Sequence, residues 1–183
     1  MTTPEAGFDP RAVLAAFQRA DAAFVVIGGL ARVIRGVDEM TDGVDICPSR
    51  VAANRDRVQT ALEELEASEI VPAKRTRGAK LLDFTTVAGP LRIVATPTGV
   101  PRGYDALRTG ATVEHLGGGL RPLVASTSDL IAMAAARGRP EDLAVVPQLQ
   151  RILQLEASPA RLVEALDVGH EMPGPDQGLE LGS

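Results

Sequence analysis

The chain has 183 residues and carries 24 acidic against 19 basic side chains, a net charge of −5 that argues against coating nucleic acid by bulk electrostatics. Hydrophobic residues make up 45%, enough for one globular domain, while aromatics at 3% and the lack of tryptophan argue against a base-stacking platform for single strands. No apolar run reaches membrane-span length, Met1 to Phe8 is polar and acidic rather than a signal, and the single cysteine, Cys47, cannot form an internal disulfide, so the expected setting is cytoplasmic without a membrane.

Asp9-Pro10 predicts a helix start, with Asp9 as cap and Pro10 at a position whose amide would go unpaired anyway. Val13, Leu14, Phe17 and Ala20 give that helix an apolar face. Ala23 to Ile27 reads as a buried strand broken by Gly28-Gly29, Leu30 to Arg35 as a short helix, and Val44 to Cys47 as a second strand ended by Pro48. Ser49 to Ala67 carries Val51, Val58, Leu62 and Leu65 at helical spacing. Lys74, Arg75, Arg77 and Lys80 form the densest basic patch, read as a solvated loop or as a contact for an RNA end, a phosphate or an acidic partner.

Leu81 to Val87 and Leu91 to Thr96 predict a hairpin about Ala88-Gly89-Pro90, Tyr104 to Thr109 a helical turn, and Thr112 to Leu116 with Leu120 to Val124 a second hairpin about three glycines. From Thr127 the period is helical: Leu130, Ile131 and Met133 mark one helix, Leu143, Val146, Leu149 and Leu153 the next, and Ser158-Pro159 opens a last one over 161–168. Gly169 to Ser183 reads as a disordered tail. The expectation is one α+β domain over 1–168, its sheet core in about 10–125 and its helices in about 127–168. Cys47 reads as a small buried hydrophobe, His115 and His170 lack metal-ligand spacing, and Arg137-Gly138-Arg139-Pro140 reads as a link in which an arginine bonds the carbonyls ending the first helix.

Two segments carry a family likeness: Val25 to Ile46, VVIGGLARVIRGVDEMTDGVDI, and Ala125 to Leu143, ASTSDLIAMAAARGRPEDL, with Gly103-Tyr104-Asp105-Ala106-Leu107 in the expected order between them. They resemble the nucleotidyltransferase superfamily with its polymerase-β-like fold, and within it the small bacterial minimal and abortive-infection nucleotidyltransferases. The resemblance implies a mixed sheet flanked by helices with a C-terminal helical segment. It also implies that Gly28, Gly29 and the helix after them face a nucleotide, where backbone amides and the helix dipole favour phosphate.

In that family a Thr-x-Asp-x-Asp strand holds catalytic magnesium, whereas here Thr41-Asp42-Gly43-Val44-Asp45 puts glycine first. Strand parity places 43 and 45 on one face and Asp42 on the other, unless a bulge turns it. The third carboxylate position falls on Arg92, and Ala134 stands where a phosphate-contacting lysine is usual. Asp45 is therefore either a remnant metal ligand or, as favoured here, the ion-pair partner of Arg92.

The leading expectation is a nucleotidyltransferase-fold protein that binds a nucleotide or a protein partner without metal-dependent catalysis, in a toxin–antitoxin-like or regulatory assembly. Its expected nucleotide contacts are Gly28, Gly29 and Arg92, and it needs no cofactor. An active transferase using magnesium on Asp45 with Asp42 or Asp83, acting on RNA, protein or a small molecule, is the alternative. A structural interaction protein or homodimer with a closed cleft is the third reading.

Overall fold

In the computed structural model, residues 7–71 and 81–158 are described. The basic patch at Lys74, Arg75, Arg77 and Lys80, the helix expected over 161–168, His170 and the tail lie outside the described residues. In chain order the elements are α1 (Pro10–Arg19), β1 (Phe24–Ile27), α2 (Gly28–Arg35), β2 (Val44–Pro48), α3 (Ala52–Glu64), β3 (Ser68–Glu69) and β4 (Leu81–Thr86). They continue with β5 (Gly89–Val94), α4 (Tyr104–Gly110), β6 (Thr112–Val113), β7 (Leu123–Val124), α5 (Thr127–Arg137) and α6 (Pro140–Glu156). The architecture is α+β, as expected.

The strands form one mixed sheet in the order β3-β4-β5-β2-β1-β7-β6. β1 runs antiparallel to β2 and parallel to β7, and β2 runs parallel to β5. Hairpins β4–β5 and β6–β7 extend the sheet on either side. Because side chains alternate along a strand, this register gives the sheet two unlike faces. Val26, Val44, Ile46, Leu91, Ile93 and Phe84 share one face and are all buried. On that side Phe17 of α1 meets Phe24 edge-on, with ring centroids 5.4 Å apart, and α3 packs beside α1. Burial of a phenylalanine of this kind stabilises by about 2–3 kcal/mol.

The opposite face carries Ile27, Asp45, Arg92 and Asp83 side by side on four strands. α2 and α5 pack against each other over this side. Polar side chains lock helices on both faces to the sheet. Buried Asn54 accepts from the amide of Ala23 at 2.6 Å and donates to the carbonyls of Ala23 and Ser49 at 2.9 Å each, pinning α3 to the ends of β1 and β2. Arg35, in the last turn of α2, donates to the carbonyls of Val124 and Ala125 and to Glu114, tying α2 to β7.

The local signals act largely as read. Asp9 accepts from the amide of Ala12 at 3.0 Å to start α1, and Ser126 caps α5 from the amide of Asp129 at 3.1 Å. Several boundaries differ. α2 begins at Gly28 rather than Leu30, because Gly28 at φ +68° turns the chain directly into the helix. The first hairpin turns at Val87-Ala88, with Thr86 facing Gly89, so Gly89 and Pro90 belong to β5. α3 starts after Val51, which is exposed rather than on an apolar face, and the two-residue strand β3 follows it. No helix among the described residues is long and apolar enough to cross a membrane.

Candidate functional site

The Gly28-Gly29 pair meets the end of the loop before β2 at close quarters. A Cβ on Gly28 would lie 2.2 Å from Oδ2 of Asp45, and one on Gly29 would lie 3.0 Å from Oγ1 of Thr41. Thr41 is itself fixed by donating to the carbonyl of Gly43 at 3.0 Å. The small residues read as room for a phosphate thus make room for Asp45 and Thr41 in this structure. Gly43 differs: a Cβ there would meet Pro90 at 3.4 Å, an ordinary contact, so the backbone does not demand glycine.

Asp45 lies between Ile27 of β1 and Arg92 of β5 in the sheet register. The expected ion pair between Asp45 and Arg92 does not form. Arg92 instead donates from Nε to Oδ1 of Asp83 at 2.6 Å, directly across the β4–β5 hairpin. Both members of that pair stay partly in water, which lowers the desolvation cost of pairing compared with Asp45 beneath α2. The Asp45 carboxylate makes no hydrogen bond or ion pair with a described residue. Burial raises its pKa above the usual carboxylate range, while the guanidinium groups of Arg92, Arg137 and Arg32 pull it down. Asp42 is exposed and precedes β2.

The helical wall supplies residues that the sequence reading did not place here. Asp142, in the first turn of α6, is buried and accepts a hydrogen bond from Nη2 of Arg137 at 2.6 Å, with Nε of Arg139 at 3.3 Å and Nη1 of Arg32 at 3.6 Å as further ion-pair contacts. Arg32 is further held by Glu39 at 2.6 Å. Arg137 therefore serves this cluster rather than capping the carbonyls at the end of α5. Ala134 is fully buried, and Arg137, one turn further along α5, brings a cation to the cleft. The hint in the sequence was the Arg-x-Arg-x-x-Asp spacing from Arg137 to Asp142.

Two adjoining cavities share Arg32, Asp45 and Arg92. One, of about 220 Å³, lies under α2 and α5 and also reaches Gly28, Arg137 and Arg139. The other, of about 500 Å³, opens toward Gly29, Thr41, Asp42 and Asp83. Among the described residues no group of three or more His, Cys, Asp or Glu side chains is placed to hold a metal ion. Gly43 offers no side-chain ligand atom and Asp83 is engaged by Arg92. This donor set does not match the two-ion arrangement that the resemblance implies. Cys47 is buried, its thiol pushed up to about 12 by burial, which leaves it inert as a nucleophile.

No protein-family model and no curated protein matches the chain. Solved structures do. The lincosamide antibiotic adenylyltransferase LnuA, determined with lincomycin bound, superposes with a TM-score of 0.57 at 11% identity, over 80% of this chain and 99% of that one. The antibiotic-resistance factor ANT(2'')-Ia gives 0.49 at 14% identity, over 87% of this chain and 95% of that one. At 11% identity the likeness to the first of these shows the fold alone, a nucleotidyltransferase fold.

Proposed function

We propose that this protein acts by binding through the cleft of its nucleotidyltransferase fold, without magnesium-dependent nucleotidyl transfer. The observation that carries this reading is the row Asp83–Arg92–Asp45 across β4, β5 and β2, with a guanidinium between the two carboxylates. A cation of unit charge at about 4 Å, with an effective dielectric near 20, costs a bound ion roughly 4 kcal/mol per unit of its charge. Magnesium demands near-octahedral oxygen ligands. Gly43 has no side-chain oxygen to supply, and Asp45 alone does not bridge two ions. Such a protein suits a non-catalytic role in a toxin–antitoxin-like or regulatory assembly, or the sensing of a nucleotide at Gly28, Gly29 and Arg92. The active-transferase alternative draws on the fact that Asp42, Asp45 and Asp83 line one cavity. It is weakened because those three do not converge as a metal cluster.

The test is a labelled nucleoside triphosphate with magnesium, alongside isothermal titration with and without a chelator. The expected result is no label transfer and no tight magnesium–nucleotide complex. Tight magnesium-dependent binding together with transfer overturns the proposal. A gain-of-function arm strengthens it: Gly43→Asp with Arg92→Asp restores two acidic positions, and the 3.4 Å spacing at Gly43 gives the new side chain room. That double variant is expected to bind magnesium at least tenfold more tightly than the parent.

A further inference from the structure

We infer that the cavity of about 220 Å³ under α2 and α5 is a metal-independent receptor site for a compact phosphate monoester that also carries an amine or hydroxyl. The inference rests on the non-catalytic reading above and names the ligand chemistry of that cleft. It follows from asking which charged groups around the cavity are already satisfied.

Arg32 is spent: Nε and Nη2 both donate to Glu39, at 2.6 and 3.2 Å, and Nη1 faces Asp142. Arg139 leans on Glu141 and Asp142 at the rim. Arg92 and Arg137 are different. Arg92 commits Nε to Asp83, and its two Nη groups make no hydrogen bond to a described residue. Arg137 commits Nη2 to Asp142, and its Nη1 makes none either. One comes from the sheet and the other from α5, and both line the same cavity.

Two guanidinium groups approaching from different walls suit a ligand with more oxygens than a carboxylate presents. A phosphate monoester has three terminal oxygens and close to two negative charges at neutral pH, and guanidinium forks recognise it through paired charge-assisted bonds. Asp45 lines the same cavity, acceptor-only when ionised and without a hydrogen-bond donor among the described residues. A partly buried acceptor lining the cavity favours a ligand that brings a donor over one that does not. Ile27, Val94, Pro97, Leu130 and Met133 line the remainder and can take a short carbon skeleton. The volume falls below the roughly 300–1,000 Å³ of common small-molecule pockets, which points to a compact ligand.

The probes are phosphoethanolamine, ethyl phosphate and inorganic phosphate, titrated calorimetrically into the full chain in a chelator. Phosphoethanolamine is expected to bind without metal and at least tenfold more tightly than ethyl phosphate. Arg92→Gln should weaken both organic probes at least tenfold, Arg92→Lys should weaken them less, and Asp45→Asn should abolish the preference for the amine. Unchanged thermal melting of Arg92→Lys shows that any loss it displays is not unfolding. Equal binding of the two organic probes, binding indifferent to Arg92→Gln, or no binding of any phosphate probe overturns the inference. Label transfer by the unmodified protein overturns the non-catalytic reading instead, so the two failures are told apart.

Discussion

The sheet wall and the helical wall of the cleft each hold an aspartate among arginines, and the two differ in who answers the charge. Asp142, on the helical wall, is 3% exposed and is met by Arg137, Arg139 and Arg32. Asp45, on the sheet wall, feels Arg92, Arg137 and Arg32 only through space, because Arg92 has turned to Asp83. A buried charge with its partners in hand is an element of the framework, and its loss is felt as instability. A partly buried charge without them is a cost to the fold that something outside the protein can offset. Three substitutions separate the two cases.

Asp142→Ala is expected to have the largest effect. It strips the hydrogen-bond acceptor from Arg137 and the counter-charge from Arg139 and Arg32 at once, and should destabilise the domain by about 3–5 kcal/mol, the range for breaking a buried ion pair from one side. Urea unfolding followed by circular dichroism measures it. Asp142→Asn, which keeps one acceptor oxygen for Arg137, should cost less. A loss below about 1 kcal/mol for the alanine variant would mean that the cluster behaves like a screened surface pair, and the contrast with Asp45 would collapse.

That cluster also marks where the sequence stops being legible. Features set by neighbours in the chain could be read: the Asp9-Pro10 start of α1, the strand–glycine–helix opening and both hairpins. Features set by packing could not. Arg92 had two carboxylates within reach, and only the cross-strand register and the exposure of Asp83 decide between them. Asp142 drew no reading from the sequence, since nothing local announces that Arg32, far away in the sequence, turns toward it. β3 has two exposed residues and no periodicity to find. The Gly28-Gly29 pair announced a need for small residues, but the reason, the close approach of Asp45 and Thr41, required the fold.

Gly28→Ala comes second. Gly28 sits at φ +68°, where a side chain is strained by about 1 kcal/mol or more, and its new Cβ would stand 2.2 Å from Oδ2 of Asp45. The expected loss is about 2–3 kcal/mol in thermal or chemical denaturation. Adding Asp45→Gly removes the obstructing carboxylate but not the backbone strain. The double variant should therefore be more stable than the sum of the single changes allows. Strict additivity would mean that Asp45 moves aside freely and that the glycine answers to backbone conformation alone.

Asp45→Asn has the smallest expected effect and the opposite sign. Burial raises the pKa of Asp45 above its ordinary value of 3.8, so the folded state holds the proton more tightly than the unfolded chain does. The resulting stabilisation is complete below the unfolded pKa and is lost as pH rises through the folded one. Once ionised, the group is a liability that asparagine, which resembles the protonated form, does not carry. Asp45→Asn should therefore raise the melting temperature at pH 7, on the order of 2 °C, with the gain shrinking as pH falls toward 4. A drop at pH 7 would mean that the arginines outweigh burial and that Asp45 is as well served as Asp142. A gain in stability coupled to loss of the amine preference in the phosphate titrations would give Asp45 the signature of a functional position, one the fold would be more stable without.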